Sequence, residues 1–297
     1  MRVTNNMLSN NLLRNLQSAQ GQMDKLQDQL ASGRRITRPS DDPVGIENAL
    51  RYKSSISHVE QWRNNAKEGM SYLDTVDDTL GEMTAIVQRA KDLALQGVNG
   101  TNTTEDREKI AIEIVQIREQ LEQFANTRVG TKYVFGGTAN VEPFPKGATE
   151  WLGSDDVMKF QVGSNLNIEV SVNGRELFGI TGNPPTTFGM FNTLEDLSTA
   201  LDASDVATIE SSIGALEGIA DTIVDYRAQL GARQNRIDSI YTQLDSTVAN
   251  LNESLSSVLY ADIAKTLVDF KTTENVYQAA LSVGAKIIQP SLVDFMR

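Results

Sequence analysis

Residues 240–270 read IYTQLDSTVANLNESLSSVLYADIAKTLVDF, and the spacing of their apolar side chains decides the fold. Working outward from that stretch, apolar residues recur at Ile219, Ile223, Tyr226, Leu230, Ile237, Ile240, Leu244, Val248, Leu251, Leu255, Leu259, Ile263, Leu267, Phe270, Tyr277, Leu281 and Ile288. The steps are threes, fours or their sum, which is the repeat of one apolar line along a helix. No proline interrupts the chain between Pro185 and Pro290. The pattern predicts one helix from about Ser204 to Ile288, on the order of 120 Å long at 1.5 Å per residue. So narrow a line must be covered by other helices, either in this chain or in copies of it.

The N-terminal end offers matching cover. From about Asn5 to Ser32, Leu8, Leu12, Leu16, Ala19, Met23, Leu26 and Leu30 form a heptad line on a polar helix. Alone, such a helix is marginal. Antiparallel pairing with the last forty residues gives each the apolar face it lacks. Leu12, Leu16, Met23, Leu26 and Leu30, with Leu255, Ile263, Leu267, Phe270 and Leu281, are therefore the expected assembly interface. Gly33 reads as a C-cap, and Arg34 to Ser40 as a basic, irregular linker. There Arg34, Arg35 and Arg38 are either solvated or in charged contact with a neighbouring subunit, because the remaining surface is acidic.

Asp42-Pro43 restarts the helix with an acidic N-cap and a first-turn proline. The second helix runs to about Gln96 on Val59, Ala66, Met70, Leu73, Val76, Leu80, Met83, Val87, Ala90 and Ala94, and Gly97 to Gly100 ends it. Thr103 or Thr104 caps a third helix lined by Ile110, Ile114, Ile117, Leu121 and Phe124. Between Gly130 and Phe191 the character changes. Pro143, Pro145, Pro184, Pro185 and many glycines punctuate β-type runs at Tyr133–Phe135, Val157–Val162 and Leu166–Val172. Asn173-Gly174 predicts a hairpin into Arg175–Ile180. Thr193 is the expected cap of a short helix over Leu194–Leu201, and Ser204 the expected start of the long one. The expected fold class is mainly α: an elongated helical bundle and terminal coiled coil with a small inserted β-rich domain. The expected domains are 1–42 with 251–297, 43–130 with 192–250, and 131–191.

Composition narrows the function. Hydrophobic residues make up 40% but aromatics only 6%, lean for a compact enzyme core. A net charge of -12 argues against nucleic acid or an anionic membrane as partner. The absence of cysteine excludes disulfides, thiol nucleophiles and cysteine-ligated metals. No secretory signal peptide is visible and no apolar run is long enough to span a membrane. His58, the one histidine, reads as a surface or packing residue, because acid–base and metal sites recruit more than one such group. Asp41-Asp42 reads as capping in preference to a metal pair. Gly136-Gly137 lacks the Lys-Ser/Thr of a phosphate loop, and neither GxGxxG nor GxSxG occurs in a supporting context. No catalytic, cofactor or metal site can be assembled. The competing classes are a hydrolase built on the insert carboxylates Glu142, Glu150, Asp155, Asp156, Glu169 and Glu176, and a signalling coiled coil. The first lacks a histidine; the second does not explain a central β insert.

Three stretches resemble the bacterial flagellin superfamily. Ala31 to Pro43 is similar to its segment between the first two helices, Ala94 to Asp106 to its bundle turn, and Leu230-Gly231-Ala232-Arg233-Gln234-Asn235-Arg236-Ile237 to its C-terminal signature. The resemblance covers roughly 1–135 and 205–297. Filament flagellins usually carry an Ala-Gly-Asp-Asp-Ala-type stretch where this chain has Pro39 to Pro43, and a Leu-rich end where it has Ser291 to Arg297. Both departures favour the branch that joins hook to filament, with a filament flagellin as the alternative. The resemblance implies a structural protein exported by the flagellar apparatus without a cleaved signal peptide and helped by a cytosolic export chaperone. It implies an extracellular ring of copies of itself, between a hook-side junction protein and flagellin, with the terminal helices as inner tube. It implies no cofactor.

Overall fold

The computed structural model describes residues 5–100, 102–145, 151–182 and 187–288. These form helices α1 (Asn5–Ser32), α2 (Pro43–Val98), α3 (Thr104–Ala125), α4 (Gly174–Leu177), α5 (Gly189–Asp202), α6 (Val206–Leu259) and α7 (Ile263–Ile288). Among the described residues, six short strands lie between α3 and α5. The chain divides into two compact units: Met1–His58 with Thr247–Arg297, and Val59–Ser246. The helical class with a small β-containing insert is as expected. Pro184, Pro185 and the tail from Ser291 to Arg297 lie outside the described residues.

In the Val59–Ser246 unit, α2 buries Leu73, Val76, Leu80, Met83 and Val87, the line legible in its sequence. α3 opens on a capping box: Thr103 Oγ1 accepts from the Asp106 amide at 3.2 Å, and the Asp106 carboxylate accepts from Thr103. It then buries Ile110, Ile114, Ile117 and Leu121. From α6 come Ile209, Leu216, Ile223, Leu230 and Ile237, one residue every seven, which keeps one narrow edge of the helix on the core. α5 packs on α3 through Leu194, Leu197 and Leu201. Each such buried side chain contributes about 1.5–3 kcal/mol.

The insert pairs β1 (Arg128–Val129) with β2 (Lys132–Tyr133), β3 (Lys159–Gln161) with β4 (Asn167–Glu169), and β5 (Ile180–Thr181) with β6 (Thr187–Phe188), all antiparallel. Ladders of two or three residues do not hold themselves together. A knot of aromatic rings does so instead. Phe144 lies 4.7 Å from Phe178 and 5.1 Å from Phe191, and Phe178 lies 5.5 Å from Phe135, centroid to centroid. The few aromatics of the chain are concentrated here.

Four expectations are corrected. Asn173-Gly174 is not a hairpin turn: the Asn173 side chain accepts from the Arg175 amide at 3.0 Å and caps α4. Thr193 lies inside α5, where its hydroxyl donates to the Gly189 carbonyl at 2.7 Å. Ser204 takes φ 56°, and Asp205 caps α6 by accepting from the Ala207 amide at 3.2 Å. The single helix from Ser204 to Ile288 is two helices, broken at residues 260–262. Successive steps of four from Leu251 to Leu267 would turn the apolar line by about 40° each, about 160° in all, away from any straight partner. The break resets it. Asp262 Oδ1 accepts from the Lys265 amide at 3.1 Å and caps α7.

Candidate functional site

The unit built from the chain ends holds a helix pair and a junction beneath it. α1 packs against α7. Gly284, near the end of α7, faces Leu12, near the start of α1: a Cβ on Gly284 would come 2.5 Å from Leu12 Cδ2. At the other end Gly33 to Arg35 lies along Leu259 to Ala261. The pair is therefore antiparallel. Along α1 the seam is Leu12, Leu16, Ala19, Met23, Leu26 and Leu30, all half-buried. Opposite stand Thr266, Phe270, Thr273, Tyr277, Ala280 and Gly284, again in alternating steps of four and three. This is a coiled-coil repeat in which large leucines meet mostly small or polar residues.

The linker holds no helix or strand, as expected, but its residues are tied into a cluster of contacts. Gly33, at φ 67°, ends α1 with its amide on the Gln29 carbonyl at 2.8 Å. Arg35 N donates to the Leu259 carbonyl at 2.8 Å, and Ala261 N to the Gly33 carbonyl at 3.0 Å, so the two chain crossings form a short antiparallel ribbon. The Arg35 guanidinium donates to the Val258 carbonyl at 2.8 and 3.2 Å. That carbonyl belongs to the last turn of α6, where no helical amide follows to satisfy it. Beneath the ribbon Ile36, Ala49, Leu255 and Leu259 bury together.

The carboxylates lock the rest. Asp41 Oδ2 accepts from the Arg38 amide at 2.9 Å and the Thr37 hydroxyl at 3.1 Å, and Lys25 lies 3.3 Å from Oδ1. These donors, the Arg38 amide foremost, pull the Asp41 pKa down to about 2. Asp42 Oδ1 accepts from the Gly45 amide at 2.9 Å and so caps α2. That bond, with the Arg35 guanidinium 3.2 Å away, holds Asp42 below the usual carboxylate range. Asp41 thus braces the linker loop and Asp42 caps α2. Neither bonds as a metal ligand would.

Of the residues singled out in the sequence, Leu12, Leu16, Met23, Leu26, Leu30 and Phe270 lie on the α1–α7 seam, and Leu255 is buried in the junction. Ile263, Leu267 and Leu281 are 49%, 48% and 45% exposed, off the seam. On the opposite flank of α7, at 100° per residue, Val268, Val276 and Val283 are 63%, 56% and 52% exposed, so α7 keeps two uncovered apolar flanks, one on each side of the seam. Arg35 is used inside the subunit and Arg38 lies 3.8 Å from Asp28. The Arg34 guanidinium makes no bond among the described residues. Sequence reasoning missed four of the six α7 seam positions, because Thr266, Thr273, Ala280 and Gly284 are not apolar anchors. Their four–three spacing was the available signal.

Comparison with known proteins agrees with this architecture. The bacterial flagellin N-terminal helical region matches residues 3–140, and the bacterial flagellin C-terminal helical region matches residues 213–296. A flagellin of Halalkalibacterium halodurans is 27% identical over 97% of this chain and 96% of its own length. Flagellar hook-associated protein 3 of Escherichia coli is 22% identical over 94% of this chain and 95% of its own. In fold, the chain is similar to the crystal structure of flagellar hook-associated protein-3 from Legionella pneumophila, with TM-score 0.62 and 14% identity over 70% of this chain and 98% of that one. These matches define a structural protein of the bacterial flagellum. The chain belongs to the bacterial flagellin family.

Proposed function

We propose that the chain is the subunit that joins the hook side of the flagellum to the flagellin filament, polymerising through its terminal helices. The uncovered apolar surface of α7 carries this reading. α7 spends one edge on α1 and leaves Ile263, Leu267, Val268, Val276, Leu281 and Val283 in water. Three such side chains on each flank, each regaining about 1 kcal/mol on burial, contribute about 3 kcal/mol per neighbour, and the two flanks together reach the lower end of the cost of association. Neighbouring copies on either side cover the two flanks, so the terminal helices form the inner tube of a ring. The partners are copies of the chain, a hook-side junction protein, flagellin, and an export chaperone in the cytosol before assembly.

Hook-associated relatives by sequence and by fold, together with Pro39 to Pro43, support the junction role over a filament role. The higher identity to a filament flagellin supports the alternative. Immunogold labelling of isolated flagella decides between them. Label confined to one band between hook and filament is expected; label along the whole filament would make the chain a filament flagellin.

A further inference from the structure

In the junction ribbon, Arg34 stands directly opposite Tyr260. The flanking bonds, Arg35 N to Leu259 O and Ala261 N to Gly33 O, make this a non-hydrogen-bonded antiparallel pair. In such a pair the Cα atoms lie about 4.5 Å apart and both side chains leave on the same face. The neighbours turn to the other side: Leu259 is buried and Arg35 folds onto the Val258 carbonyl. The face that carries Arg34 and Tyr260 is exposed.

Around this pair every charge of the linker is satisfied: Arg35 by Val258 and Asp42, Arg38 by Asp28, and Asp41 by Lys25 and Thr37. Neither the Arg34 guanidinium nor the Tyr260 phenol makes a hydrogen bond or ion pair among the described residues. An arginine beside a tyrosine, mounted on a braced ribbon, combines the two side chains most often found at the energetic centre of protein interfaces. We infer that Arg34 and Tyr260 form an intersubunit anchor that takes a carboxylate from a second copy of this chain. The guanidinium would grip the carboxylate in a fork and the phenol would add a donor and an apolar face.

Charge complementarity names the occupant. The chain carries a net charge of -12, so a second copy is rich in the required group. In the same unit, Asp24 and Glu253 are exposed and show no ion pair among the described residues. This inference rests on the self-assembly reading above and adds the contact that would fix how copies meet.

The test uses the full-length chain. Sedimentation equilibrium compares the wild type with Arg34→Ala and Arg34→Lys, with thermal melting as the control for folding. Arg34→Ala is expected to weaken self-association about tenfold or more with unchanged melting, and Arg34→Lys, which keeps the charge and loses the fork, to recover only part of it. In parallel, a photoreactive benzoylphenylalanine at position 260 is irradiated in a mixture of isotopically light and heavy chains. Light–heavy adducts at an acidic segment are expected. Unchanged association of Arg34→Ala, adducts within one chain only, or adducts only to a protein of different sequence would each overturn the anchor while leaving self-assembly standing. A wild type that never self-associates, in concentrated solution or in isolated flagella, would remove both readings together.

Discussion

Replacing Arg35 with methionine keeps the unbranched apolar stem of the side chain and removes its guanidinium. The guanidinium holds the Val258 carbonyl at 2.8 Å, at the C-terminal end of α6, where a cation also meets the negative end of the helix dipole. A hydrogen bond to a charged group contributes about 1.5–3 kcal/mol. With the side chain 47% exposed, screening leaves roughly 1 kcal/mol. That loss opens the junction about fivefold more often. The reporter is hydrogen exchange of the ribbon amides, since the residue 35 and Ala261 amides are bonded only across it. Protection at these two amides should fall about fivefold, while core amides around Leu80 and Leu121 stay unchanged. Equal exchange in variant and wild type would show that the Arg35–Val258 bond does not brace the junction. A parallel loss of protection in the core would show that the two units open together.

Acid should loosen the same place. The folded pKa of Asp41 is depressed to about 2 and that of Asp42 is also lowered, so their contribution is complete above the ordinary carboxylate pKa near 4 and is lost as pH falls towards 2. The Arg38 amide resonance should titrate with a midpoint near 2; a midpoint near 4 would contradict the bond from the Arg38 amide to Asp41. Leu80→Ala empties a fully buried site and should cost about 3 kcal/mol, read as a lower urea midpoint, whereas Leu95→Ala at 51% exposure should cost under about 1 kcal/mol. In the insert, a Cβ at Gly174 would come 2.3 Å from the Phe135 carbonyl oxygen, so Gly174→Ala must move backbone. Trp151 touches the same position and its fluorescence should show an early unfolding transition; an unaltered one would mean that the ring knot accommodates the methyl group.

Long lines were legible because one rule governs them. Leu73 to Val87 on α2 and Ile110 to Leu121 on α3 repeat at helical spacing and are buried as a set. Thr103, Gly33 and Asp42 were readable for a similar reason, since a cap acts within three or four residues of its own position. The reading failed where a partner distant in sequence decides. Asn173-Gly174 suits a hairpin locally, but the rings of Phe135 and Phe178 set the path of the chain there. Arg35 looked like a solvated cation because its partner, a carbonyl at Val258, has no side-chain signature. The break at 260–262 was visible in the run of fours from Leu251 to Leu267, whose drift is incompatible with a single straight seam. The exposed edge of α7 was half legible: Ile263, Leu267 and Leu281 were singled out, but the edge that α1 covers was not distinguished from the edge it leaves bare.

The junction ribbon also bears on the order in which the chain folds. It joins positions about 230 residues apart, and closing so large a loop in an unfolded chain is entropically unfavourable. Inside the Val59–Ser246 unit, Arg63 and Asp245 meet at 2.9 Å. Once that contact exists, only about 45 residues separate the two sides of the ribbon, and the closure cost falls by about 1.4 kcal/mol. The long-range pairing of the chain ends then becomes a short-range one. A ribbon closed before the helix pair would let α1 and α7 zip away from it, the turns farthest from Gly33 and Ala261 ordering last.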